Sequence, residues 1–225
     1  MTTTRREFVE RVAAGAALMG GIPLTGMEKK FAAVSAAAKD EWDLSWGKRV
    51  TAAKHKAIFD SPEIESGLGV LRAGIWKAQV NEVQGVPMSQ VAAVVVMRHE
   101  GIVLAMNQAF WDKFGVGPAK KATGMDGNPT TTNPALVAAG DGAFPPVLAN
   151  AKLEKFIAAG GIALACNLAF ELDIIPMIMK KDGSSHDAAR ASGISMLVPG
   201  VILQPSGVFA VVHAQEAGAQ YVGLS

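Results

Sequence analysis

The sequence predicts an α/β fold: an open, mostly parallel five-stranded sheet with helices on both faces. Three observations predict it. Five short apolar runs alternate with longer helix-like stretches. The run "QVAAVVVMRH" (90–99) is continuously apolar and rich in Val, the pattern of a strand buried on both faces. Glycines punctuate the chain where helical periods end, as at Gly85, Gly160–Gly161 and Gly218.

Taken in order, "KHKAIFD" (54–60) reads as a first strand ending in Asp60. Residues 61–85 read as a helix, because Leu68, Leu71, Ile75 and Val80 fall near one face and Gly85 stops the period. The strand 90–99 follows, then a helix over 103–115. Residues 116–146 hold many Gly, Pro, Thr and Asn with no sustained period, and read as an ordered excursion or a flexible loop of the kind that often carries function. The alternation resumes with an amphipathic helix over 146–161 and a buried strand "IALAC" (162–166). A helix opening at Asn167 is expected to break or kink at Pro176. Next come a helix over 184–197 capped by Ser184 or Ser185, a strand over 200–205, a helix over 206–218 with Ser206 as its cap, and a last strand over 219–224.

The first residues, "MTTTRREFVERVAAGAALMGGIPLTG", resemble a twin-arginine export signal: Thr4-Arg5-Arg6-Glu7-Phe8, then a moderately apolar stretch over 12–27. Four glycines and one proline in those 16 residues make a poor membrane span, which needs about 20 apolar residues. Ala36-Ala37-Ala38 fits small-residue cleavage, so residues 1–38 read as signal and cleavage region and 39–225 as one domain. The resemblance implies the export machinery as a partner and a periplasmic location, with the signal either cleaved near Lys39 or kept as an anchor. The periplasm is oxidising, yet one cysteine allows no internal disulfide, so the apolar core must hold the fold. Half the residues are hydrophobic, which is ample for a core of this size. The net charge is +1, and residues 1–38 hold two more basic than acidic side chains, leaving the remainder near −1. Nucleic-acid binding has no electrostatic support, and no apolar run after residue 38 is long enough to span a membrane.

The ending "LVPGVILQPSGVFAVVHAQEAGAQYVGL" resembles the C-terminal signature of the DsrE/DsrF-like sulfur-relay superfamily, with Pro205, Gly207, Val208, Gln215, Gly218 and Tyr221 in its places. "HKAIFD" followed by a helix, and then "AAVVVMRHEGIVLAMNQAFWDKFG", is similar to the first half of exported members. "ACNLAF" matches the third-strand cysteine region. The resemblance spans roughly residues 50–224. It implies a three-layer, flavodoxin-like fold, a homotrimer or hexamer, and, in cytoplasmic members, a cysteine that accepts and passes on sulfane sulfur.

Ligands of such sheets collect at the carboxyl ends of the strands. By that rule Asp60, His99 and Cys166 share one crevice, and Asn107, Trp111, Asn133 and Asn167 are further candidate ligand-binding residues. A crevice of that composition suits a small anion, a thiol compound or a metal. Four scattered histidines give no metal-binding spacing, so neither a metal nor a cofactor is assigned. His55 is expected to be exposed, His186 to lie in a capping region, and His213 in the core or an interface. Cys166 has two readings: a small buried hydrophobe in an apolar strand, or a thiolate favoured by the helix N-terminus that follows it. Two functions follow: a non-enzymatic oligomeric protein that binds a small ligand at the strand-end crevice, or a sulfur or thiol carrier acting through Cys166. The residues taken broadly favour the first; the second is what the family resemblance implies.

Overall fold

The computed structural model describes residues 42–136 and 151–223. The expected signal segment, 1–38, the end of the excursion from residue 137, and the start of the expected 146–161 helix up to residue 150 lie outside the described residues. Five parallel strands form one sheet: β1 His55–Ser61, β2 Val91–Met97, β3 Ile162–Cys166, β4 Ile202–Gln204 and β5 Gln220–Gly223, in the spatial order β4-β3-β2-β1-β5. The three-layer, flavodoxin-like α/β class expected from the sequence is therefore the class observed. Every strand lies within the run predicted for it or one residue beyond it.

The strand order fixes the layers. Right-handed crossovers from β1 through β2 and β3 to β4 all step the same way, so their helices share one face. The connection from β4 to β5 runs back across the sheet and puts its helix on the other face. The two cores reflect this. On one face Ile58, Val94, Val96, Ile162 and Leu164 pack against Trp46 and Val50 of α1 (Ser45–Ala52) and against Ala210 and Ala214 of the β4–β5 helix. On the other, Ala57, Phe59, Ala93, Val95, Met97, Ala163 and Ala165 meet α2 (Leu68–Gln84), the 3-10 segment His99–Ala105, α3 (Gln108–Phe114) and later helices. All seven residues of β2, the middle strand, are buried. That double burial is why the run is uniformly apolar.

Helix ends follow local chemistry. Gly85 closes α2 at a φ of 65°, a left-handed turn that favours glycine. The helix expected over 103–115 splits, because the Asn107 side chain accepts the Phe110 amide at 2.9 Å and starts α3 there. The excursion begins with α4 (Val116–Lys120) and continues as turns to residue 136. After α5 (Leu153–Ala158) and β3, the chain is helical from residue 167 to 182: α6 (Asn167–Ala169), a π-helical segment Phe170–Ile174, and α7 (Ile175–Asp182). Pro176 therefore does not break this run. The widened π turns absorb the bond and the space its ring denies. Then come α8 (His186–Ser195), capped by Ser185, and α9 (Gly207–Glu216), capped by Ser206.

One core position breaks the apolar rule. Lys77 lies on the buried stripe Val70-Ala73-Lys77-Val80 of α2 and is 2% exposed. Burial lowers its pKa from the usual 10.5 to about 8, with the charge of Arg49 as a lesser cause. Between these values the unfolded chain holds a proton that the folded chain has shed, so stability rises with pH from about 8 toward 10. Below pH 8 both states hold it and the full penalty for the buried charge stands. Lys77→Met is expected to abolish this rise. Urea melts of both proteins at pH 7.5 and 9.5 check it, and equal slopes in the two would contradict it.

Candidate functional site

The sheet reverses its winding between β1 and β5, and the crevice of such a fold opens there, at the carboxyl ends of the strands. Side chains alternate between the faces along each strand. Ile58, Val96 and Leu164 point to the α1/α9 face, so Asp60, Arg98 and Cys166, each two residues further on, point the same way. Gln204, in register with Cys166, joins them. Four polar or reactive side chains are thus delivered to one edge by strand parity alone.

Asp60 is the centre of this edge. It is 3% exposed. Arg98 grips it with two bonds, Nε to Oδ1 at 2.7 Å and a terminal nitrogen to Oδ2 at 2.8 Å. The Tyr221 hydroxyl donates to Oδ2 at 2.9 Å. The buried carboxylate is therefore paired and hydrogen-bonded, the condition under which a charge can stay inside. The hydrogen bonds to Asp60 hold Arg98 more firmly charged than usual. The α9 N-terminus packs directly on Arg98. A Cβ on Gly207 would lie 2.5 Å from the Arg98 Cβ, so only glycine fits.

Cys166 is buried, at 6% exposure. Its Sγ accepts the Ala169 amide at 3.3 Å and so caps the helical run that follows. Beside it, the Asn167 Oδ1 accepts from Arg190 at 3.0 Å, and the same Arg190 nitrogen bonds Glu171. His186 closes the chain of contacts, with Nε2 2.8 Å from Glu171 Oε2, which raises the His186 pKa. Gln204 is fully buried. Its amide nitrogen donates to the Asp43 and Leu203 carbonyls at 3.0 and 2.9 Å, while its Oε1 has no hydrogen-bond partner among the described residues. Loops at this edge also carry left-handed backbone at non-glycine residues: Glu65 and Ser66 after β1, and His99 after β2. Such strain tends to gather at functional sites.

Of the sequence-based candidates, the structure puts Asp60 and Cys166 on one face of this edge, while Asn167 is engaged by Arg190. His99 turns out of the edge at a φ of 50° and faces solvent, 3.4 Å from Glu63. Asn107 is spent on its helix cap. Trp111 is core, its indole donating to the Val103 carbonyl at 2.8 Å. Asn133 is buried, and it ties the excursion down by donating to the Leu104 and Met106 carbonyls and accepting from Ala135. His55 begins β1 half-buried instead of exposed. Arg98, Tyr221 and Gln204 belong to the site and were not among the candidates. Their signal was parity with Asp60 and Cys166, which a doubly buried strand conceals. Among the described residues, no three His, Cys, Asp or Glu side chains converge as a metal site.

No protein-family model, curated protein or solved structure matches this chain.

Tyr221 is the only tyrosine in the chain, so its ionisation can be read directly. The hydrogen bond to Asp60 is the main cause that raises its pKa above the usual 10. Titration followed by tyrosinate absorbance is expected to give a midpoint above 10. Asp60→Asn should bring it back toward 10. A wild-type midpoint at or below 10 would mean that the contact is not kept in solution.

Proposed function

We propose that this chain is a self-associating protein of the DsrE/DsrF-like kind that handles sulfur or small thiol compounds through Cys166. One observation carries the reading: the only cysteine in the chain accepts a backbone N–H at a helix start, on the same face of the sheet edge as Asp60 and Arg98. A helix start is one of the settings in which reactive cysteines are found. In the reaction this supports, the Cys166 thiolate attacks the terminal sulfur of an inorganic polysulfide. A new S–S bond forms at Cys166, the neighbouring S–S bond of the polysulfide breaks, and the electron pair leaves with the shortened polysulfide dianion. The proton lost in forming the thiolate goes to solvent.

A second reading keeps the same edge without covalent chemistry: reversible binding of a small ligand. The unpartnered Gln204 Oε1 favours it, because a buried acceptor without a donor is costly and a ligand N–H or O–H would satisfy it.

Intact mass after exposure of the folded protein to polysulfide separates the two. Sulfur transfer predicts a mass increase of whole sulfur atoms that is reversed by reductant and absent in Cys166→Ser. A thiol modified only after denaturation would leave the binding reading.

Self-association rests on α9. Val208, Phe209 and Val212 are 65%, 38% and 47% exposed on this helix, and Tyr221 is 50% exposed on the edge strand β5. Exposed apolar clusters of this kind mark interaction sites. Sedimentation is expected to show a trimer or hexamer, and Val212→Glu to shift it toward monomer. A wild-type monomer at all concentrations would overturn this part.

A further inference from the structure

At the opposite end of the sheet, the amino ends of β2 and β3 border a cavity of about 430 Å³. That falls within the range of small-molecule sites, about 300–1,000 Å³. Its wall includes Arg49 of α1, Lys77 of α2, Ser89 of the turn before β2, and Gly160 of the turn before β3. Among the described residues, the only charged side chains on the wall are the two cations. Lys77 donates to the Met88 carbonyl at 2.8 Å and to the Val91 carbonyl, so one of its three N–H bonds is left over. Arg49 spends one terminal nitrogen on the Gly160 carbonyl at 2.7 Å and keeps its remaining donors. Among the described residues, no carboxylate pairs with either.

A buried ammonium without a counter-charge is expensive, and a second cation on the same wall adds to the cost. In the Asp60 edge an arginine and a carboxylate offset each other. Here nothing from the described chain does so, and the space beside the two cations is open. We propose that this cavity binds a small phosphate dianion, either the free ion or the phosphate group of a small metabolite, between the Lys77 ammonium and the Arg49 guanidinium. The Ser89 hydroxyl is exposed beside them and supplies a further donor. A dianion matches the two cations, and a guanidinium fork matches oxyanion geometry. The site is distinct from the Cys166 edge, and the proposal does not depend on what Cys166 does.

Calorimetric titration of the full chain with inorganic phosphate, and separately with glycerol phosphate, at fixed ionic strength in chloride tests it. Saturable one-site binding is expected with at least one of the two. Arg49 is exposed, so Arg49→Gln should fold normally and bind at least about tenfold more weakly. Lys77→Met, with its fold checked by circular dichroism, should lose binding as well. Saturation by phosphate alone assigns the free ion. Saturation by the ester as well, or by the ester alone, admits a phosphorylated metabolite. No saturable heat with either ligand, or undiminished binding by Arg49→Gln, would overturn the proposal.

Discussion

A carboxylate that is 3% exposed cannot be left alone, and most of the carboxyl edge follows from how Asp60 is satisfied. Its two partners come from the strands on either side of β1: Arg98 from just past β2 and Tyr221 from β5. Removing one partner of a buried pair typically costs about 3–5 kcal/mol, because the other charge is stranded. The pair therefore sets how the ends of these strands meet. Once Arg98 is fixed, the helix packed upon it must open with a residue that has no side chain, and Gly207 does. The Cys166 sulfur faces the same side of this edge and is held by its own strand and by the Ala169 amide.

The two ends of the sheet handle charge in opposite ways. At the carboxyl edge, the guanidinium is bidentate to a carboxylate, so much of its field is spent before it reaches an outside anion. What remains there for chemistry is the sulfur, its backbone donor and the unpartnered Gln204 oxygen. At the amino edge, an ammonium is buried with carbonyls alone, and a guanidinium bonded to one carbonyl stands beside it. Carbonyl dipoles offset part of the desolvation of a charge but none of its sign. That difference in residual charge is why thiol chemistry is argued at one end and anion binding at the other.

β2 and β3 were legible because burial on both faces writes a run of Val, Ile and Ala. β3 was predicted at its observed bounds, and Ser206 and Ser185 were legible as caps. The same double burial hid the site. In a strand with one wet face, alternation would have shown that Asp60 and Arg98 point together; in β2 every residue is apolar and parity leaves no trace. Asn107 and Asn133 were misjudged for a different reason. An asparagine that caps a helix or pins a loop presents the same two polar groups as one that binds a ligand, and only the surrounding backbone decides. The sequence carries no mark of the π segment through which the helical run continues past Pro176. Lys77 was legible in principle: it interrupts the spacing Val70, Ala73, Val80 at the position where an apolar residue belongs.

The choice of sulfur at position 166 is the last constraint to weigh. The site asks for a small side chain that tolerates burial and can accept the Ala169 amide. Alanine would pack but leave that donor unmet. Serine would fit, and it is a far commoner helix cap than cysteine, with a stronger acceptor atom. Capping therefore does not by itself call for cysteine. Sulfur differs from the serine oxygen in two respects that matter here: it is less costly to hold among apolar neighbours, and its anion is a far better nucleophile near neutral pH. The first is a packing reason and needs nothing from Arg98. The second is a chemical reason, and of alanine, serine and cysteine only cysteine supplies it.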